Sequence, residues 1–302
     1  MSAAVATQTV TADRAAVVAP QTPGRQFTAI LRRLVLYLTL IVLAIIFIGP
    51  FAWLISNSLK DAAHVFDATW IPQPVHWDNY VTMFQAAPLL QGLRNSVIVA
   101  VLAVSSVVVS SSMVAYGLAR LRFPGSNIVF LGVLATMMLP GAVTMVPVYL
   151  IFKRLHMVNT FQPLWVGNLF GSPFYIFLLR QFFLTIPQEI VEAARVDGAN
   201  YYRVFISIML PLVRPAMLAV AIFEFQGSWN NFMGPLIYLQ DPNLRTLPLL
   251  LQIFVGSLGQ GGQMLWNLLF AVSVMITIPM ILIFFVAQKY FIQGIATTGL
   301  KG

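Results

Sequence analysis

The chain has 302 residues, 59% of them hydrophobic and only 9% charged, with a formal net charge of +8. A soluble domain carries about a quarter charged residues, so membrane residence is the default reading, and the scattered basic residues form no aromatic-laced patch for nucleic acid. With no cysteine, disulfide frameworks, thiolate metal sites, iron–sulfur clusters and cysteine nucleophiles are excluded.

Residues 1–33, rich in Ala, Val, Thr and Pro, are expected to form a disordered tail. The next run, LVLYLTLIVLAIIFIGPFAWLI at 34–55, is charge-free. It is too long for a signal-peptide core, has no clear cleavage site after it, and meets the roughly 20 apolar residues that a membrane span needs. Further apolar windows at 96–119, 128–150, 163–183, 215–239 and 264–287 predict six spans in one membrane domain, 34–302. If the N-terminus is cytoplasmic, twelve of the 17 Lys and Arg residues fall on the inside. Five (Lys60, Arg94, Lys153, Arg154 and Arg245) fall outside, and the positive-inside rule favours that orientation, with both termini cytoplasmic. The outside loop 56–91 is too short for a folded external domain, and its Trp70, Trp77 and Tyr80 suit a headgroup-level belt.

The longest inside segment, 185–214, reads as two short helices around a glycine. Thr185 followed by Gln188 predicts a capping box, with Pro187 in the first turn. The first helix runs through Glu189, Glu192, Ala193 and Ala194 to Gly198, placed for a left-handed C-terminal cap. Arg195 beside Asp197 is positioned to pair locally. Tyr201, Val204, Phe205, Ile208 and Met209 then recur at three and four, an amphipathic face ended by Pro211 and Pro215. The pattern alone fits a helix lying in the lipid interface as well as one that docks on a partner.

The spacing itself says more. Glu192-Ala193-Ala194, three residues, Gly198, nine residues, Ile208, one residue, then Leu210-Pro211 resembles the cytoplasmic loop signature of ABC importer permeases. LRNSVIVA at 93, AYGLARLRFPG at 115, MMLPGAVTMVPVYLIFKRL at 137, GSPFYIFLLRQFF at 171, GSWNNFMGPLIYL at 227 and the GLKG ending extend the resemblance. It covers nearly the whole chain beyond the tail and is closest to the carbohydrate-uptake branch, of the maltose and glycerol-phosphate type. The resemblance implies an all-α integral membrane protein of the type I importer permease fold, six transmembrane helices with a cytoplasmic coupling-helix loop, in a bacterial-type inner membrane. It implies that Glu192 makes a charged contact with an ATPase, that Ala193 and Ala194 permit close approach and that Gly198 sets the turn, with Asp197, Ile208, Leu210 and Pro211 in the same signature. The implied partners are a second homologous permease, a cytoplasmic ATPase dimer, an external solute-binding protein and a sugar. No cofactor is expected on this chain, ATP and Mg belonging to the ATPase. In keeping with that, no GxxxxGK[ST] phosphate loop occurs, and the chain is not expected to be an enzyme.

Glu224 is an acid within a span, about nine residues and roughly 13 Å past Pro215, where a carboxylate costs about 2.5–3.5 kcal/mol. With Gln226, Trp229, Asn230 and Asn231 it offers an aromatic face and amides suited to a sugar, or alternatively glue between helices. The family commonly has Asp where Asn231 stands. Ser105, Ser106, Ser110, Ser111 and Ser112 either line a pore or let helices approach closely. Pro140, Pro147 and Pro279 permit kinks, and His64, His76 and His156 are isolated. Two other function classes compete. An ion- or proton-coupled carrier would use Glu224 as its proton site and show inverted repeats, and none is seen. A membrane enzyme would need paired carboxylates or a nucleophile with its base. Which sugar is carried stays open.

Overall fold

The computed structural model describes residues 23–258 and 265–299, and no strand occurs among them. The chain divides into two units, one ending at Trp53 and one beginning at Leu54. Most of α1 (Pro23–Ser58) makes up the first. Its apolar side chains are exposed, Phe47 at 70% and Ile45 at 66%, a surface that lipid stabilises and water does not. The expected tail at 1–33 is corrected at its end: helix begins at Pro23, a residue tolerated in a first turn. Residues 1–22, including Arg14, lie outside the described residues, as do Lys301 and the last part of the GLKG ending.

The second unit begins with α2 (Asn79–Ala86), α3 (Leu89–Arg120), α4 (Ser126–Thr136), α5 (Gly141–Arg154), α6 (Pro173–Thr185) and α7 (Gln188–Val196). It continues with α8 (Tyr201–Val204), α9 (Leu210–Leu212), α10 (Arg214–Trp229), α11 (Met233–Tyr238), α12 (Leu247–Leu258) and α13 (Trp266–Gly299). Among the described residues three helical stretches are long and apolar enough to cross a membrane unbroken: Ile30–Ser58, Leu89–Arg120 and Trp266–Val286. The other expected spans are broken. The window 128–150 divides into α4 and α5, bent by 98°, at Pro140, whose backbone is extended and which cannot donate to a helix. The window 163–183 is two 3₁₀ turns and then α6, the break lying at Gly171 with φ +80°. A Cβ there would meet Ile176 and Ser111, so both the dihedral and the space require glycine. The window 215–239 breaks at 230–232, between α10 and α11. The apolar run of α12 was not among the windows expected from the sequence.

Two cores hold the unit. At the loop end, α3, α6, α7, α8 and α10 converge on Tyr116, Leu179, Phe183, Val191, Val204, Met209 and Val220. At the opposite end, α2, α12, α13 and the end of α10 enclose Met83, Leu89, Trp229, Leu247 and Leu268. There the start of α3 is tied to the connection before α12: Asn95 Nδ2 donates to the carbonyls of Asn243 and Arg245, each at 2.9 Å, and Leu247 N donates to Ser96 Oγ at 2.8 Å. The 56–91 loop carries α2 and is tied down by its own hydrogen bonds. Lys60 is buried and donates to Asp67 O, and Asn79 Nδ2 donates to Ser58 O and Lys60 O. Two of the histidines read as isolated have acidic neighbours. His64 Nδ1 lies 2.8 Å from Asp61 Oδ1, a hydrogen bond that raises the imidazole pKa above its ordinary 6.5, and His76 Nδ1 lies 3.3 Å from Asp78 Oδ1.

The guanidinium of Arg120, at the end of α3, joins the helices at the loop end. It donates to the carbonyls of Phe183 and Ile186, which end α6, and through Nη1 to Gln188 Oε1 at 3.0 Å. A cation on the last carbonyls of a helix answers its orphan acceptors and its dipole together. Arg120→Ala is expected to leave those acceptors unmet and cost about 1–3 kcal/mol, read as a lower melting temperature of the purified protein; an unchanged melting temperature would contradict this role.

Candidate functional site

The 185–214 segment folds as two helices around Gly198, with one correction at its start. Thr185 is the last residue of α6 and donates to Phe182 O, while Pro187 occupies the N-cap of α7 without a side-chain hydrogen bond. The capping box is therefore not formed, because α6 runs on into the position where Thr185 would have capped. The turn at the other end is as read. Gly198 has φ +84°, Gly198 N donates to Arg195 O and Ala199 N to Ala194 O, the paired bonds of a Schellman cap. Asn200 Oδ1 then caps α8 by accepting from Arg203 N at 2.8 Å. Pro211 has no N–H to offer Ser207 O and its ring crowds that carbonyl. The turn before it widens to π geometry over Phe205–Met209, so the buried residues of this helix, Val204 and Met209, are five apart.

The signature residues divide between two faces. Ala194 is buried and Ile208 and Leu210 are half-buried against the loop-end core, whereas Glu192, Ala193, Asp197 and Gly198 are exposed. Ala194 therefore packs on the bundle, and Ala193 alone of the pair faces outward. Val196, which the sequence reading did not single out, is 88% exposed at the end of α7, and Tyr202 nearby is 71% exposed. Arg195 does not pair with Asp197; its guanidinium lies over the Tyr201 ring at 4.6 Å. Tyr116 of α3 fixes the segment from within. Its ring centroid lies 4.8 Å from that of Phe205 and 5.8 Å from that of Phe183, and its hydroxyl donates to Tyr201 O. Both Tyr116 and Arg120 stand in the AYGLARLRFPG motif, but only packing could assign them this task.

A second polar cluster lies deeper in the bundle. Glu224 on α10 accepts from Asn168 Nδ2 at 2.6 Å, and the Tyr175 hydroxyl of α6 lies beside its carboxylate. Asn168 Nδ2 also donates to Ala103 O of α3, Ser110 Oγ donates to Asn168 O at 2.6 Å, and Ser172 N donates to Ser111 Oγ at 3.1 Å. Ser111 thus satisfies the Ser172 N–H that the break at Gly171 frees and an apolar interior would otherwise leave unmet, while Ser110 adds a second donor to Asn168 O, which already accepts from Gly171 N. Asn168 was missed because it sits inside an apolar window taken as one helix; a lone amide there was the available signal.

Beside this cluster a groove of about 600 Å³ opens along α3, lined by Ser105, Ser106, Ser110, Met113, Trp165 and Leu169 among others and carrying no charged side chain. Ser111 and Ser112 are buried and do not reach it. Of the residues expected near a sugar, Trp229 is 1% exposed, stacks on Phe225 at 5.4 Å and donates Nε1 to Ile276 O. It anchors α10 to α13 and presents no free ring face, a correction to its expected role. Gln226 and Asn230 are exposed, with Asn230 Nδ2 donating to Gln226 O. Asn231 Oδ1 accepts from Gly234 N at 3.0 Å and so starts α11, a local role that an amide fills as well as a carboxylate.

Spans broken around a polar cluster, with an outward-facing amphipathic loop clamped to the bundle, define a membrane transport subunit. The fold superposes on a chain of a bacterial ABC transporter involved in the import of the acidic polysaccharide alginate, with TM-score 0.75 and 22% identity over 89% of this chain and 98% of that one. Residues 108–297 match the family described as binding-protein-dependent transport system inner membrane component, and the chain belongs to this family of ABC importer permease subunits. It is 32% identical over 275 residues to the arabinooligosaccharides transport system permease protein AraQ of Bacillus subtilis, covering 89% of this chain and 96% of that one. It is 33% identical over 268 residues to the diacetylchitobiose uptake system permease protein NgcG of Streptomyces coelicolor, covering 88% and 86%. Membership makes it a multi-pass inner-membrane protein and gives the ion-coupled carrier no support.

Glu224→Leu removes the acceptor for Asn168 Nδ2 and is expected to lower stability by about 1 kcal/mol, the scale of interhelical hydrogen bonds in membranes. Glu224→Gln retains an acceptor and should stay close to wild type in thermal unfolding. Equal loss in both would show that the charge, and not the hydrogen bond, is what the site requires.

Proposed function

We propose that this chain is one permease half of an ATP-driven sugar importer, paired with a second homologous permease and driven by a cytoplasmic ATPase dimer docked on the 192–211 loop. The loop end is then cytoplasmic, and a solute-binding protein delivers the sugar at the other end. ATP hydrolysis belongs to the partner, not to this chain. The observation that carries the reading is the outward face of α7 and its cap. An exposed carboxylate at Glu192, a small residue at Ala193 and an 88% exposed Val196 surround a rigid Gly198 turn, a surface that binding stabilises better than water does. A push on that surface reaches α3 through the Tyr116 rings and the Arg120 guanidinium. It then reaches α6 and α10 through the shared core, so the spans tilt as a packed body instead of bending locally.

The two relatives named above are named for arabinooligosaccharide transport and diacetylchitobiose uptake, and the groove supports a sugar of that kind. Its serine hydroxyls and the Trp165 ring suit sugar hydroxyls and a ring face. The absence of cationic side chains from its lining favours an uncharged sugar over an acidic or phosphorylated one. In place of Trp229, Trp165 is the aromatic platform.

Affinity purification from the native membrane tests the assembly. A second permease and an ATPase are expected to accompany the chain, and Glu192→Lys is expected to lose the ATPase while keeping the permease pair. Gly198→Val should act likewise, since a left-handed backbone costs a non-glycine residue about 1–2 kcal/mol. Wild-type recovery of ATPase with both variants would remove the coupling assignment. In uptake assays, Trp165→Ala is expected to raise KM about tenfold, about 1.4 kcal/mol, with the assembled complex intact. Trp229→Ala should instead reduce the amount of complex. The reverse pattern would return the platform to Trp229.

A further inference from the structure

A second cleft, of about 610 Å³, lies at the loop end between the end of α3, the start of α4 and the end of α6. It is separate from the sugar groove and differs from it in chemistry. Three guanidinium-bearing residues, Arg120, Arg122 and Arg180, line it and no carboxylate does. Among the described residues no Lys or Arg forms an ion pair, so no carboxylate among them neutralises these charges. Two of the guanidinium groups are fixed. Arg120 is held by its carbonyl contacts and by Gln188, yet its Nε is buried without an acceptor. Arg180 lies 4.1 Å over the Phe130 ring and donates Nε to Leu118 O at 3.3 Å. Arg122 is exposed at the mouth. Next to this cleft, α4 turns outward an apolar face with Ile128 75% exposed and Leu131 63% exposed.

We infer that this cleft holds the phosphate headgroup of an anionic phospholipid, with the acyl chains lying along α4. Planar guanidinium groups match phosphate oxygens in bidentate geometry, and basic pockets between spans at a membrane surface select anionic headgroups. Positively charged residues gathered only for topology would need no pre-set orientation. Here two of the three are held by aromatic and carbonyl contacts before any ligand arrives. A free phosphate would satisfy the same donors, but the exposed hydrocarbon surface beside the cleft matches a lipid. Because Arg120 also joins α6 to the first residue of α7, a bound headgroup steadies the base of the coupling loop.

The test uses the assembled importer in nanodiscs of phosphatidylcholine with a minor share of phosphatidylglycerol, followed by exchange into pure phosphatidylcholine discs and mass-spectrometric quantification of retained phosphatidylglycerol. Wild type is expected to retain it above the bulk proportion. Arg122→Gln, which breaks no hydrogen bond or ion pair among the described residues, should retain about fivefold less, the loss expected for one cation beside an anionic headgroup, and Arg122→Lys should retain an intermediate amount. Retention equal to bulk, or unchanged in Arg122→Gln, overturns the inference. So does displacement of the lipid by millimolar inorganic phosphate, which would make the cleft a free-phosphate site. Retention confined to the chain stripped of its partners also overturns it, and would assign the cleft to an acidic protein segment.

Discussion

A helix that breaks inside a membrane frees backbone donors and acceptors that hydrocarbon cannot satisfy, and the architecture of this permease is organised around meeting that requirement. The break at Gly171 is answered by Ser111 of α3, which accepts from Ser172 N, and Asn168 just before it is held by Ser110 of α3 and Glu224 of α10. One carboxylate, one amide and two hydroxyls therefore tie three spans together. The groove lined by Trp165 and Ser105 is the open side of this same arrangement. Of the two roles the sequence presents as alternatives for these polar residues, the hydrogen bonds between helices are the structural one.

The coupling loop obeys the opposite logic: its polar groups are satisfied locally and its apolar groups divide between two surfaces. The Schellman bonds at Gly198 and the Asn200 cap close both ends of the turn without help from elsewhere, so the turn can be carried as a rigid piece. Val191, Ala194, Val204 and Met209 fasten it to the bundle. Glu192, Ala193 and Val196 stay exposed on the outer face. Force applied to a rigid turn clamped by Tyr116 and Arg120 is delivered to α3, the helix that also carries the groove and its serines.

Patterns local in sequence were legible in advance. Charge-free runs gave the membrane class, the positive φ of Gly198 followed from its place after a short helix, and the loop spacing led to the family. The features that failed required knowledge of what lies across space. Thr185 was read as a cap because nothing in the sequence says that α6 continues through it. Trp229 was read as a sugar platform because its partners Phe225 and Ile276 come from its own helix and from one 47 residues away. The window 163–183 was read as one helix because hydropathy is indifferent to the 3₁₀ turns and to Gly171. Pro211 marked the end of an amphipathic face, but the π turn that it induces, and hence which residues are buried, depends on the Ser207 carbonyl that it displaces.

The central claim is that movement of sugar through this bundle is driven from outside the chain, through the loop. The most direct measurement is uptake of labelled oligosaccharide into proteoliposomes holding the purified complex, with the binding protein and sugar on one side and ATP trapped on the other. Accumulation that requires trapped ATP and persists when ionophores abolish every ion gradient is the predicted result. Accumulation without ATP that collapses with the proton or sodium gradient would contradict it.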